Sequence, residues 1–234
     1  MKKSILITGA SEGIGLASAY ALQSAGWEVI GVARRAPADF PGEFIECDLS
    51  SDKNLAELVT AIKQRSAILG IVNNLGMARH ESFASLDYAD FESLLAFNLR
   101  PALLLSQAVL GNMKSANFGR IINIGSLVTQ GYPFRTSYAA AKSALVSLTK
   151  TIAIEYAAHG ITANVIAPGP TETELFRQNN PAGSEAENRY LSKIPMQRLA
   201  KPQEIASAVA FFASVEAGFI TGQTVFIDGG ASLS

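Results

Sequence analysis

Apolar positions along the chain fall into short unbroken runs separated by longer periodic ones. The runs Ile5–Thr8, Glu28–Ala33, Glu43–Cys47, Gly70–Asn73, Arg120–Gly125, Thr162–Ala167 and Thr224–Ile227 are rich in Ile and Val and bounded by Gly, Asn, Asp or Pro, which predicts strands. Several show no alternation, as in strands covered on both faces. Helical periodicity predicts helices at Gly13–Ala25, Asp52–Gln64, about Tyr88 to Met113, about Ser137 to Ala158, and Pro202–Ala213. In the last of these, Ile205, Ala208, Val209 and Phe212 share one face, and Pro202 suits the first helical turn. Alternating strands and helices with right-handed crossovers predict one α/β domain over residues 1–234, a doubly wound parallel sheet with helices on both faces. The stretch Leu175–Ser192 has no clear period. It follows a candidate site strand and is expected to form a flap over the site.

Composition narrows the function classes. Apolar residues make up 48% and charged residues 17% of the 234, a globular balance that excludes a disordered chain. Nineteen Lys and Arg against twenty Asp and Glu give a net charge of −1, which excludes a generally basic nucleic-acid or membrane-surface binder. Cys47 is the single cysteine, so an intrachain disulfide is excluded. With only His80 and His159 beside it, a His/Cys zinc site is not expected. The start Met1-Lys2-Lys3 followed by Ser4–Ile7 looks briefly like a leader, but the apolar run breaks at Thr8–Gly13. The other apolar stretch, 99–110, is interrupted by Arg100 and Pro101, so no membrane span is expected and a cytoplasmic setting is.

Three constellations carry chemistry. The first is Thr8-Gly9-Ala10-Ser11-Glu12-Gly13-Ile14-Gly15, directly after a strand and opening a helix. Glycines there let the backbone turn tightly and approach a pyrophosphate, which the helix N-terminus then receives. The second is the end of the next strand, where Ala33 occupies the place of a ribose-binding carboxylate and Arg34 and Arg35 follow. Arginine there suits a 2′-phosphate, hence NADP(H) over NAD(H), while Glu12 would slightly oppose it. The third is Ser126 after the strand Arg120–Gly125, followed by Tyr138 and Lys142 at i and i+4 on one helix face.

Together these residues resemble the short-chain dehydrogenase/reductase family over essentially the whole chain. The matching segments run in order: the Thr8–Gly15 motif, Asp48-Leu49, Asn73-Asn74-Leu75-Gly76, Asn98, Ser126, Tyr138-Ala139-Ala140-Ala141-Lys142, Pro168-Gly169-Pro170-Thr171-Glu172-Thr173 and Ile220-Thr221-Gly222-Gln223. The resemblance implies a Rossmann-type fold and a nicotinamide cofactor. It implies Tyr138 as proton donor and acceptor, Ser126 as hydrogen-bond partner of the substrate oxygen, and Lys142 as holder of the nicotinamide ribose that lowers the tyrosine pKa. Asn98 would hold a relay water. Asp48 would face the adenine, Asn74 would lie along the cofactor, and Thr173 would hold its carboxamide or a phosphate. Gly9, Ser11, Glu12, Gly13, Ile14, Gly15, Arg34, Arg35, Leu49, Gly76, Pro168, Gly169 and Thr171 complete the implied cofactor set. Leu75 and Gly125 depart from the family's usual alanine and serine, and the Ser126–Tyr138 spacing is short.

The implied activity is an NADP(H)-preferring carbonyl reductase or secondary-alcohol dehydrogenase that assembles as a homotetramer. Within the family, the chain looks most like bacterial 3-oxoacyl-carrier-protein reductases, for example in Lys193–Leu199 and Phe211–Ser214. Those reductases carry basic residues where this chain has Asn117, Phe118 and His159, which weakens a docking patch for an acidic carrier. A non-catalytic cofactor sensor on the same fold is the rival from another class; it has no need to keep Asn98, Ser126, Tyr138 and Lys142 together. The loop Gln130–Phe134 offers aromatic walls for a small ketone.

Overall fold

Seven parallel strands form one sheet in the order β3-β2-β1-β4-β5-β6-β7. The strands are β1 (Ser4–Thr8), β2 (Glu28–Ala33), β3 (Glu43–Glu46), β4 (Ile68–Asn73), β5 (Gly119–Ile124), β6 (Ile161–Pro168) and β7 (Thr224–Ile227). The helices are α1 (Gly13–Ser24), α2 (Asp52–Lys63), α3 (Tyr88–Ala116), α4 (Thr136–Tyr156), α5 (Glu174–Asn179), α6 (Glu185–Leu191) and α7 (Pro202–Ala213). This computed structural model describes residues 3–233; Met1 and Lys2 of the leader-like start lie outside them.

The unbroken Ile/Val runs are explained by burial on both faces. In β1, Leu6 joins the cluster with Leu55, Leu58, Leu105 and Val109 beneath α2 and α3. Its neighbours Ile5 and Ile7 join the opposite cluster with Leu22, Ile205, Val209 and Phe212 beneath α1 and α7. In β5, Ile121 takes the first side while Ile122 and Ile124 take the second. Each such side chain contributes roughly 1.5–3 kcal/mol of hydrophobic stabilisation. Helix α3 has the length and apolar content of a membrane span, with a mean hydropathy of 1.4. Here it lies along the sheet, with Leu94, Leu105, Val109 and Met113 buried and Pro101 accommodated inside it.

The strand order reverses between β1 and β4, so the carboxyl ends of β1, β4, β5 and β6 open onto one crevice. A buried side-chain network keeps those ends in register. Asn73 Nδ2 donates to Asn123 Oδ1 at 2.7 Å and to Ser106 Oγ at 3.0 Å, and Asn123 Nδ2 donates to Thr149 Oγ1 at 2.7 Å. These bonds tie β4 and β5 to α3 and α4.

The stretch Leu175–Ser192, expected as an irregular flap, holds two short helices instead. Thr173 caps α5 by accepting from the Phe176 N–H, and Ser184 caps α6 by accepting from the Glu187 N–H. The cause is tertiary: Arg177 pairs with Glu172 on one side and with Glu187 on the other.

Candidate active site

The glycine loop is built by its neighbours as much as by its own residues. Thr8 Oγ1 accepts from the Asn74 and Leu75 N–H groups, both at 3.0 Å. Asn74 Nδ2 returns two bonds, to the Thr8 carbonyl at 3.1 Å and the Gly9 carbonyl at 3.0 Å. A Cβ on Gly15 would lie 2.1 Å from the Gly9 carbonyl oxygen, so only glycine lets the loop close over the start of α1. Glu12 is the N-cap residue of α1 in extended conformation, is exposed, and makes no side-chain capping bond. The first-turn N–H groups of α1 are therefore left open to an anion. Thr173 faces this turn, with its Cγ2 3.1 Å from where a Gly13 Cβ would be, and Glu174 lies beside it.

At the far side of the loop, Ala33 ends β2, and Arg34 and Arg35 stand exposed. Asp48 sits opposite. Bonds from the Ser50 hydroxyl and N–H hold its carboxyl below the usual value, and Arg34 adds a smaller pull. Leu49 is buried in the core beneath. Leu75 packs against the core cluster on the α2/α3 side, which explains how the larger side chain is housed.

The groups of the third constellation converge at the ends of β4 and β5. Ser126 acts on the Tyr138 phenol and favours its ionised form, while its Oγ accepts from the Val128 N–H at 3.3 Å. Lys142 lies one turn further along α4, with Nζ 5.6 Å from the Tyr138 ring centre. Its ammonium is 2% exposed as a residue and donates to the Ile124 carbonyl at 2.7 Å. A Cβ on Gly76 would stand 3.2 Å from Lys142 Nζ and 3.3 Å from Asn98 Oδ1, so a glycine lets the segment after β4 pass close to these groups. Asn98 accepts from the Met77 N–H at 3.1 Å and donates to the Met77 carbonyl at 3.1 Å and the Leu94 carbonyl at 2.9 Å. It thus clamps the segment after Gly76.

The electrostatics differ from expectation at one point. Burial raises the Tyr138 pKa above its ordinary value; Ser126 and Arg135 pull the other way without overcoming it. Lys142 was expected to lower it, yet burial brings Lys142 itself down to about 8 and its ammonium is directed at the Ile124 carbonyl. The protein's own groups therefore keep Tyr138 a protonated phenol at neutral pH.

The C-terminal side of the crevice is closed by the turn after β6. Gly169 N–H bonds to the Ile227 carbonyl at 2.9 Å, and buried Thr171 turns its hydroxyl back to the Gly169 carbonyl at 3.0 Å. Pro168 and Thr171 thus offer the crevice backbone rather than side chain. Over it, Tyr132 stacks on Tyr190 of α6 at 6.0 Å, and Phe176 of α5 meets Tyr190 edge-on at 5.4 Å. The loop expected to supply aromatic walls places Tyr132 in this stack. The reading of the sequence placed Thr8 in the glycine motif without its bracing role, and did not single out the Asn73–Asn123 network or Arg135. Among the described residues, no cluster of three or more His, Cys, Asp or Glu is arranged to hold a metal.

The open α1 N-terminus, the bare Gly76 and the exposed arginines after β2 fit a dinucleotide lying from Arg34 to Lys142. A sequence-family profile described as enoyl-(acyl carrier protein) reductase matches residues 9–232. The chain is 38% identical to the 3-oxoacyl-acyl-carrier-protein reductase FabG of Vibrio harveyi, over 97% of this chain and 96% of that one. Its fold is similar to a protein from Beutenbergia cavernae solved with bound NADP, at a TM-score of 0.92 and 29% identity, covering 99% of this chain and 97% of that one. It is also similar to a short-chain dehydrogenase family protein from Francisella tularensis, at a TM-score of 0.90 and 28% identity over 100% of both chains.

Proposed function

Because the chain belongs to the short-chain dehydrogenase/reductase family of oxidoreductases, we propose that it is an NADP(H)-preferring enzyme that interconverts a ketone and a secondary alcohol, with Tyr138 as general acid and base. The observation that supports this most is the buried Lys142 ammonium 5.6 Å from the Tyr138 ring centre, one turn along the same helix, with Ser126 acting on the same phenol. When bound, the cofactor supplies or accepts the hydride. Gly9, Ser11, Glu12, Gly13, Ile14 and Gly15 would hold its pyrophosphate, with Thr173 across from them. Asp48 and Leu49 would take the adenine, and Arg34 and Arg35 the 2′-phosphate. Asn74, Gly76, Lys142 and the backbone of Pro168, Gly169 and Thr171 would line the nicotinamide half.

In reduction, the Tyr138 phenol gives its proton to the carbonyl oxygen that Ser126 hydrogen-bonds. The phenolate left behind is favoured by Ser126 and Arg135. In oxidation the same oxygen takes the proton back. Asn98 holds the Met77 segment and, with Lys142, a relay water. Helices α5 and α6 serve as a flap that keeps bulk water from the reacting oxygen. Tyr138→Phe keeps the ring and removes the donor. It should fold and bind NADPH as wild type does, with turnover lower by roughly 10²–10⁴-fold. Turnover within threefold of wild type would sink the assignment.

A second reading, 3-oxoacyl-carrier-protein reductase, is favoured by the FabG similarity. Against it, Asn117, Phe118 and His159 replace basic docking residues. The basic neighbour Arg120 is 3% exposed and donates to the Ser214 and Gly119 carbonyls at 2.9 Å. A sensor without activity is opposed by the intact set Asn98, Ser126, Tyr138 and Lys142. The enzyme works in the cytoplasm as a homotetramer formed through α3, α4 and the C-terminal region, where Leu103, Ile154 and Phe219 are exposed. Light scattering at micromolar concentration should give about four times the chain mass of 24.7 kDa; the single-chain mass rejects it.

A further inference from the structure

The helix that carries Tyr138 and Lys142 begins without a cap of its own. Its N-cap residue is Arg135, whose side chain makes no capping bond and, as a guanidinium, has no acceptor to offer. Asp, Asn, Ser or Thr at that place would satisfy the N–H of the second or third helical residue. In α4 those residues are Ser137 and Tyr138. The first turn is closed instead from 56 positions away in the chain, where Glu81 Oε1 accepts from the buried Ser137 N–H at 2.5 Å. A carboxylate at a helix N-terminus is also favoured by the helix dipole.

Glu81 holds the approach to the helix as well. Its own N–H donates to the Phe134 carbonyl at 3.1 Å, and the preceding His80 stacks on the Phe134 ring with centres 4.7 Å apart. Phe134 has a φ of 59°, in the left-handed region that an aromatic residue rarely adopts, so its conformation needs support from outside. Glu81 is half-buried, and the chain leading to it is fixed at two points on α3. Asn98 clamps Met77, and Arg79 pairs with Asp90 at 2.7 Å. The segment 76–81 thus joins Asn98 and Lys142 on one side of the site to the turn that bears Tyr138 on the other.

We propose that Glu81 is a positioning residue, whose carboxylate stands in for the missing cap of α4 and so fixes the Tyr138 phenol for proton transfer. This rests on the carbonyl-reductase reading and adds a residue to its machinery. Misplacing a reacting group by about 1 Å can cost on the order of 10²-fold in rate.

Three substitutions separate reach from charge. Glu81→Gln keeps an acceptor at the same reach without charge, Glu81→Asp keeps the charge one methylene short, and Glu81→Leu keeps neither. Each protein is labelled with fluorotyrosine, and the Tyr138 fluorine signal is identified as the one lost in Tyr138→Phe. Wild type and Glu81→Gln should give a single narrow Tyr138 signal, and Glu81→Asp and Glu81→Leu a broadened or split one. With NADPH and a simple cyclic or aryl ketone that wild type reduces, kcat should fall by about tenfold or more in Glu81→Asp and Glu81→Leu, with KM for NADPH unchanged, and Glu81→Gln should restore it to within about threefold of wild type. Equal damage in Glu81→Gln and Glu81→Leu, or a Glu81→Leu protein with wild-type kcat or a wild-type Tyr138 signal, overturns the proposal. Should Glu81→Leu fail to fold, the contrast between Glu81→Gln and Glu81→Asp decides. Failure of the reductase reading shows separately, as no ketone-dependent oxidation of NADPH by wild type, and the fluorine signals then still decide whether Glu81 fixes Tyr138.

Discussion

Arg177 on α5 donates through Nη1 to Glu187 on α6 at 2.7 Å, while its other nitrogens pair with Glu172 in the turn after β6. One guanidinium therefore ties both flap helices to the segment that faces the glycine loop. The Glu187 carboxyl is held below the usual range by the Gly183 N–H first and Arg177 second.

Arg177→Gln should loosen the flap without touching the reacting groups. The expected result is KM for the carbonyl substrate raised by about tenfold or less, with NADPH affinity nearly unchanged and faster proteolytic nicking between residues 175 and 192. Because the folded-state pKa of Glu187 lies below its unfolded value, its contribution is fully present above the ordinary carboxylate pKa. It is lost only as pH falls through the lower folded value. Wild-type nicking should therefore be flat through neutral pH and rise only in acid. An unchanged KM with unchanged nicking in Arg177→Gln would remove the flap from the mechanism.

This flap is also where the sequence was least legible. The inner strands β1, β2, β4, β5 and β6 stand out as Ile/Val runs because a strand covered on both faces needs apolar residues at nearly every position, as in Ile5, Leu6 and Ile7. Helices α5 and α6 have too few turns for a period to show, and their order comes from Arg177 reaching carboxylates five and ten positions away. A local signal was present nonetheless: Ser184 followed by Glu187 is the serine–glutamate spacing that opens helices. At the site, Tyr138, Lys142 and the glycines were legible because their spacing is local. The roles of Thr8 and Asn74 in bracing the loop were not, since those two residues lie 66 positions apart. Arg135 was missed because a lone arginine before a helix carries no pattern.

Lys142 makes the fold less stable than it would otherwise be at neutral pH. Its pKa is brought from the ordinary 10.5 to about 8 by burial, so the folded protein sheds this proton before the unfolded chain does. Between those two values the unfolded state binds more protons, and stability rises with pH. Below about 8 the full penalty of the buried ammonium is present. Lys142→Met, of similar length and without charge, should raise Tm at pH 7 and flatten the rise in stability between pH 8 and 10 relative to wild type, while turnover is lost. A lower Tm for Lys142→Met across that whole range would show that the bond to the Ile124 carbonyl outweighs the burial cost.

Cofactor choice turns on Arg34. It follows Ala33 at the carboxyl end of β2, is exposed, and acts on Asp48 across the crevice. A charge-assisted bond to a 2′-phosphate is worth about 1.5–3 kcal/mol. Two carboxylates work against it. Glu12 is exposed, and its repulsion is screened over about 8 Å at physiological salt. Asp48 directs Oδ1 to the Ser50 hydroxyl at 2.7 Å and N–H at 3.0 Å, and so stays ionised. With Ala33 offering no carboxylate of its own, the balance favours the phosphate. NADPH should be preferred over NADH by at least about tenfold in kcat/KM, since about 1.4 kcal/mol corresponds to a factor of ten. Arg34→Ala should raise KM for NADPH and leave NADH nearly unchanged, whereas Glu12→Gln should improve NADPH slightly, and less at high salt. Equal use of the two cofactors by wild type, or equal damage to both in Arg34→Ala, would mean that Arg34 stacks on the adenine instead, a contact indifferent to the 2′-phosphate.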